Sequence, residues 1–250
     1  MNLYGKLNSL LKSLLGQFGL VLMKKTNPRY YLGTRTRIIK LADIDLVLDV
    51  GANTGQYALE MRKIGYKGNI ISFEPMTTEF SHLKNLNELD QNWEAYNFAL
   101  GLTFSEQEIN ITKNSISSSL LCPTPLQFQH SENSKIIKKE KIKIERLDSF
   151  FQEKNLSRFK TIWLKIDVQG FEDQVILGAG ESLKSVSYIQ LELSFSELYK
   201  DQKTILPMLE LLDQLGFQLI SFEPGFANQN TGGFLQVDGI LIRRDLLDEK

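Results

Sequence analysis

Residues 46–57 read L-V-L-D-V-G-A-N-T-G-Q-Y, and this stretch decides the fold. Leu46 to Val50 is a short apolar run of the kind that fills a strand buried on both faces. A glycine-rich turn follows at once, and Tyr57–Ile64 then has helical spacing. A strand, a glycine turn and a helix in that order let a ligand approach the backbone closely, with free amides at the helix start. Gly51 and Gly55 are separated by three residues, which is not the G-x-G-x-x-G spacing of a dinucleotide fingerprint. The Lys-Ser/Thr pair of a phosphate-binding loop is also missing. Asp49 heads the turn instead, and a carboxylate there suits an amine or hydroxyl ligand better than a pyrophosphate.

Outward from this unit, strands and helices alternate. Asn69–Phe73 and Trp93–Phe98 read as strands and Thr78–Leu89 as a helix. Beyond the middle of the chain, Thr161–Asp167 and Tyr188–Leu193 read as strands, with a helix in Gly170–Gly178 between them. Thr204–Leu215 reads as a helix ended by Gly216. Phe217–Phe222 and Gln236–Ile242 close the series as a hairpin. The middle differs: Glu108–Thr112 and Lys138–Ile144 alternate apolar with polar residues, the mark of half-exposed antiparallel strands. Between them Asn114–Ser134 shows no period and is longer than an ordinary connection. The expected fold is α/β: a doubly wound, mostly parallel seven-stranded sheet whose last strand is antiparallel, with an inserted β-hairpin and an N-terminal helix. Residues 27–250 are expected to form a single domain, preceded by the helix in 1–26.

Composition excludes several function classes. The 29 Lys plus Arg and 30 Asp plus Glu give a net charge of −1, so no global field draws the chain to nucleic acid. A single cysteine, Cys122, rules out an intrachain disulfide and any multi-cysteine metal site. Two histidines, His82 and His130, leave little for a histidine-rich one; no metal ligand is assigned, and a carboxylate cluster of Asp167, Glu172 and Asp173 stays open as the alternative. Residues 3–23 carry leucines at three- and four-residue steps opposite a polar face, too polar for a membrane span and unlike a signal peptide. Two alternatives stay open for this helix. It packs on the domain or on a second copy in a homo-oligomer, or it lies on a membrane surface with Lys6, Lys12, Lys24 and Lys25 near the headgroups. The expected location is cytoplasmic, either free or peripheral at the inner face of the membrane.

Strand ends supply the candidate chemistry. Ser72-Phe73-Glu74-Pro75 ends the second strand, where an acid can accept both ribose hydroxyls of a nucleoside. Asn97-Phe98-Ala99-Leu100 ends the third, where Asn97 and the backbone of Ala99 are placed to touch an adenine. Three successive strand ends, each with a suitable polar group, describe a nucleoside site.

This pattern resembles the class I S-adenosylmethionine-dependent methyltransferases, and more narrowly the FkbM family. The resemblance rests on V-L-D-V-G-A-N-T-G-Q-Y at 47–57, F-E-P at 73–75, N-F-A-L-G at 97–101, I-E-R-L-D at 144–148, L-K-I-D-V-Q-G-F-E at 164–172 and V-I-L-G-A at 175–179. It implies that Asp49, Gly51, Asn53, Gly55 and Glu74 bind S-adenosylmethionine, with Asn97 and Ala99 near the adenine. It also implies a sugar, glycan or other small-molecule acceptor, in surface-polysaccharide or secondary metabolism. The family commonly carries Glu where Gln169 stands.

Asp167 ends the fourth strand and should face the methyl group, so it is the candidate general base for a hydroxyl acceptor. Its alternative is to orient the ammonium of the cofactor or to cap the next helix. Lys165 lies on the same strand face and either pairs with Asp167 or holds an acidic substrate. Glu192 is an acid within an apolar strand, and a buried carboxylate must be paired or perturbed. Gln169, Ser118, Ser119 and His130 complete the substrate candidates, the last three from the long irregular segment.

Overall fold

The computed structural model describes residues 33–247 together with residues 12, 14, 15 and 17. The chain divides into two compact units, residues 1–38 and 39–250. In the first, residues 12, 14, 15 and 17 are helical, and helix α1 (Gly33–Leu41) begins. The remainder of the expected amphipathic helix at 3–23 lies outside the described residues. Among the described residues no helix is long and apolar enough to cross a membrane.

The second unit is built on a seven-stranded sheet. Its strands are β1 (Leu46–Val50), β2 (Asn69–Phe73), β3 (Trp93–Tyr96), β7 (Ile162–Ile166), β8 (Val186–Ser194), β9 (Phe217–Pro224) and β10 (Gln236–Arg243). They lie in the order β3-β2-β1-β7-β8-β10-β9. Neighbours from β3 to β8 pair in parallel, and the last strand, β10, runs antiparallel between β8 and β9. The chain winds outward from β1 to β3 and returns to β7 on the other side of β1. That reversal opens a crevice at the carboxyl ends of β1 and β7, where ligands of such sheets bind.

Alternation along the strands separates the two faces. Leu46, Leu48 and Val50 join Ile162, Leu164, Ile166, Ile189 and Leu191 in one buried cluster. It is covered by Phe150 of α5 (Leu147–Glu153), Val175 and Ile176 of α6 (Glu172–Gly178), and Met208 and Leu212 of α7 (Ile205–Gln214). Each such side chain, fully buried, contributes about 2 kcal/mol. The opposite face meets α2 (Gln56–Lys63) and α3 (Thr77–Asn87): Gly55 lies against Trp93 and Leu83, and the Tyr57 ring lies over Lys165. Helix α2 ends where Gly65, at φ +104°, donates its amide to Arg62 while Tyr66 donates to Met61. This is a Schellman stop.

The insertion is larger than the expected hairpin. Strands β5 (Ser105–Thr112) and β6 (Ile136–Glu145) pair antiparallel, and the short β4 (Ala99–Leu100) joins β6 in parallel to make a second, three-stranded sheet. The expected third strand therefore stops at Tyr96, and Ala99 belongs to the second sheet. Asn97 forces the break, because its side chain turns back to the carbonyls of Glu74 and Pro75. The segment expected to be irregular, 114–134, contains helix α4 (Pro125–His130) and bridges to both sheets' surroundings at Asn110–Ser119 and Pro123–Tyr199. Two of the sequence motifs prove to be packing devices. A Cβ on Gly178 would lie 2.0 Å from the Gly101 carbonyl oxygen, so N-F-A-L-G and V-I-L-G-A meet backbone to backbone. In I-E-R-L-D, Asp148 caps the turn at Ser182–Ser185 by accepting from the Glu181 amide, the Ser182 amide and the Ser182 hydroxyl.

Candidate active site

The glycine turn after β1 closes tightly over β2. Gly51, Asn53 and Gly55 have φ of +81°, +48° and +91°. An added Cβ on Gly51 would fall 1.9 Å from the Asp167 carbonyl oxygen, so glycine lets β1 and β7 approach at the crevice floor. Four amides of the turn that precedes the helix are spent within the chain. Gly51 and Ala52 donate to the Phe73 carbonyl, Gly55 donates to Ala52, and the Asn53 amide donates to Glu74 Oε2 at 2.8 Å. A turn that coils back onto the neighbouring strand consumes its own donors.

Glu74 follows β2, is 2 % exposed, and accepts the Met76 amide at Oε1 as well. Burial pushes its carboxyl up to about 7, against the pull of the Met76 and Asn53 amides. Asn97 braces this corner: both hydrogens of its amide are spent on the Glu74 and Pro75 carbonyls, at 2.9 and 3.0 Å. Ala99 packs with Met76, Ile109, Ile111, Ile142 and Ile144 in the core of the second sheet. Asn53 reaches the insertion, its Nδ2 donating to Ser115 Oγ at 3.1 Å.

Asp49 sits inside the sheet and has no exposed surface. In β1 it stands opposite Ser72 on one side and Lys165 on the other. The Ser72 hydroxyl donates to it, and Lys165 Nζ lies 3.6 Å from Oδ1. Burial raises the Asp49 carboxyl, with Lys165 opposing. Lys165 Nζ also lies 3.4 Å from Asp167 Oδ2. Burial works against this ammonium, but Asp167, Asp49 and Asp238 together outweigh it and hold its pKa above the usual lysine value. The cation is thus shared between a buried carboxylate and one whose side chain is 32 % exposed.

Around Asp167 the strand ends gather a polar cluster. Gln169, at φ +55°, donates from Nε2 to Asp167 Oδ1 at 2.7 Å and to Glu192 Oε2 at 3.0 Å. The Tyr199 hydroxyl donates to Gln169 Oε1 at 2.7 Å. Gln236 donates to the same Glu192 oxygen at 2.6 Å and to Ser194 Oγ at 3.1 Å. Burial raises the Glu192 carboxyl well above the ordinary range, and Asp167, Glu172 and Asp238 add to the shift. Glu172 is 2 % exposed and accepts the amides of Val168 and Gly170, so it braces the turn that carries Gln169. Burial pushes it up to about 7.

The serine candidates are buried and engaged within the chain. Ser118 accepts the Thr112 amide, and Ser119 donates to the Gln169 carbonyl at 2.7 Å while accepting the Leu121 amide. Ser119 thus fastens the insertion to the crevice, and Ser118 ties the insertion to its own strand. His130 ends α4 and joins none of these hydrogen bonds. Among the described residues no group of three or more His, Cys, Asp or Glu is placed to hold a metal.

Sequence reasoning missed Tyr199, Gln236 and Gln190, which accepts from Tyr57 and donates to Glu223. The signal was available for the two glutamines, since each interrupts an apolar strand as Glu192 does. Tyr199 lies in a loop without any motif, and only the fold carries it to Gln169.

Residues 49–219 match the model of the methyltransferase FkbM domain, more than half of the chain. The chain belongs to the FkbM methyltransferase family. Among curated relatives, the 2-O-methyltransferase NoeI of Sinorhizobium fredii (strain NBRC 101917 / NGR234) is 27 % identical over 193 residues, covering 72 % of this chain and 74 % of the relative. Among solved structures, methyltransferase FkbM from Methylobacillus flagellatus KT aligns at TM-score 0.46 and 12 % identity, over 79 % of this chain and 44 % of that one. TehB from Haemophilus influenzae aligns at TM-score 0.46 and 10 % identity, over 86 % of this chain and 66 % of that one. The chain thus spans less than half the length of the solved FkbM protein, and the family match carries the assignment.

Proposed function

We propose that this methyltransferase takes its methyl group from S-adenosylmethionine and places it on a hydroxyl of a sugar, a glycan or another small-molecule acceptor. The observation that carries this reading is the pair of carboxyl groups, Glu74 after β2 and Asp167 after β7, on either side of Gly51 at the switch point of the sheet. The family match and the 2-O-methyltransferase activity for which the relative is named support it.

The donor set fits the cofactor. Each Glu74 oxygen accepts one backbone amide and keeps a lone pair, so the carboxylate can receive two vicinal ribose hydroxyls. Gly51 and Gly55 keep side chains out of the turn beside it. When bound, S-adenosylmethionine supplies an electrophilic methyl group on a sulfonium. The chain's task is alignment and a proton. Asp167 would accept the proton that the acceptor hydroxyl loses as it is methylated. Lys165 and Gln169 hold the Asp167 carboxylate in place from its two oxygens.

Calorimetric titration with S-adenosylmethionine and S-adenosylhomocysteine, beside NAD, tests this reading. Micromolar binding of the first two, lost in Glu74→Ala, is expected, followed by methylation of hydroxylated glycans that falls at least about 100-fold in Asp167→Asn. A folded protein that binds neither sulfur compound overturns the reading. Binding without any methylated acceptor would point to a non-catalytic binding protein.

A further inference from the structure

The two carboxyl groups at the acceptor side, Asp167 and Glu192, are joined by one amide. Gln169 has two Nε2 hydrogens and spends one on each carboxyl, at 2.7 and 3.0 Å. The Tyr199 hydroxyl lies 2.7 Å from the amide oxygen and 3.0 Å from the Ser117 carbonyl, its one hydrogen shared between them, and so biases which way the amide faces. Tyr199 is itself fully buried, its backbone amide held by Gln202, and burial keeps the phenol protonated. The arrangement is built at a cost, since Gln169 adopts a left-handed φ of +55° that non-glycine residues disfavour.

Counting lone pairs gives the two acids different roles. Glu192 Oε2 receives both Gln169 and Gln236, which fills it. Among the described residues no hydrogen bond reaches Oε1, and the Glu192 side chain is only half-buried. A proton on Glu192 therefore sits on Oε1 and points outward. Asp167 is held differently, with Gln169 on Oδ1 and the Lys165 ammonium on Oδ2. Glu192 faces like charges instead, with Asp238 directly across from it on β10. A third carboxylate at position 169 would need an extra proton or a cation.

We propose that Gln169 is a positioning residue that divides the labour between these carboxyl groups: it leaves Asp167 as proton acceptor and Glu192 as a neutral donor through Oε1, a pair that fits an acceptor with two adjacent hydroxyls. The substrate class is thus a vicinal diol, as in a sugar ring, in which one oxygen is methylated and its neighbour is held by Glu192. This rests on the reading of the site as a hydroxyl methyltransferase, but its first test does not.

Carbon-13 NMR of the side-chain carboxyls of glutamate-labelled protein, with the Glu192 resonance assigned by its loss in Glu192→Gln, follows the titration directly. In Gln169→Glu the Glu192 resonance is expected to titrate at least one pH unit higher than in the wild type. Tyr199→Phe, which frees the amide to turn, should move it by a smaller amount and serves if the first variant does not fold. A Glu192 resonance unmoved by both changes overturns the proposal, whatever the protein methylates. With S-adenosylmethionine and a methyl glycoside that the wild type accepts, removal of the hydroxyl beside the methylated one should raise KM about tenfold or more. Glu192→Ala should do the same with the intact glycoside, and Glu192→Gln should restore KM and abolish the alkaline limb of the pH profile. Full activity on the deoxy glycoside, or an alkaline limb unchanged in Glu192→Gln, refutes the diol assignment. If no glycoside is methylated at all, the hydroxyl methyltransferase reading fails while the NMR result still judges Gln169.

Discussion

Replacing Gly51 by alanine sets a methyl group against the backbone of Asp167. The added Cβ would lie 1.9 Å from the carbonyl oxygen and 2.9 Å from the carbonyl carbon. Even close carbon–oxygen contacts begin near about 3.3 Å, so the strand ends would have to part by roughly 1.4 Å. That movement strains the parallel ladder in which the Asp167 amide donates to the Val50 carbonyl at 3.0 Å. Forced overpacking costs about 1–3 kcal/mol. A positive φ, here +81°, adds about 1–2 kcal/mol for an L-residue. The total of about 2–5 kcal/mol is a large part of the 5–15 kcal/mol that holds a typical domain together. Gly65 isolates the second contribution, because it has φ +104° and nothing within 4 Å of an added Cβ. Urea unfolding of both variants, with slopes compared to the wild type, separates the two. Gly51→Ala should lose at least about 1 kcal/mol more than Gly65→Ala, and only Gly51→Ala should lose binding of S-adenosylmethionine. Equal losses in the two variants, or wild-type binding by Gly51→Ala, would refute the close approach as the reason for this glycine.

Other consequences follow from the buried acids. Glu74 and Glu172 are each raised from an ordinary 4.5 to about 7 by burial, so both favour folding while protonated. Their contribution is complete below the unfolded value and is lost as pH rises through about 7. At about 1.4 kcal/mol per unit each is worth about 3 kcal/mol, and urea unfolding should show lower stability at pH 8.5 than at pH 5.5. Glu172→Gln should flatten that slope, and a stability that rises with pH would contradict the assignment. Ribose hydroxyls bind the ionised form of Glu74, so binding of S-adenosylmethionine near neutrality should release protons. Calorimetry in two buffers of different ionisation enthalpy should detect this release in the wild type. Asp148→Ala should cost about 1–2 kcal/mol by uncapping the turn at Ser182–Ser185, with ligand binding intact. Its carboxyl lies below the ordinary range despite partial burial, because Ser182, Arg146 and Glu181 donate to it, so this share of stability is lost as pH falls. Loss of ligand binding in that variant would show that I-E-R-L-D is more than a clasp.

The sequence by itself determined the order of the main sheet's strands and of the helices beside its parallel part, because buried parallel strands are apolar runs and their helices carry a period of their own. It also determined which strand ends carry acids, since Glu74 before Pro75 and Asp167 after an apolar strand are local facts. Tertiary structure decided what those groups touch. Asp49 was legible as the head of a turn, yet pairing with β2 and β7 places it inside the sheet against Lys165. Asn97 was legible as a polar strand end, yet its hydrogens close the Glu74 corner. Ser118 and Ser119 of the long insertion were legible as substrate candidates, yet the fold spends them on Thr112, Leu121 and Gln169. Hydrogen-bond partners far apart in the chain leave no periodic trace: Gln169 meets Tyr199 across 30 residues and Glu192 meets Gln236 across 44. A sequence pattern records which residues must be buried, but only the packed chain fixes where each donor and acceptor is satisfied.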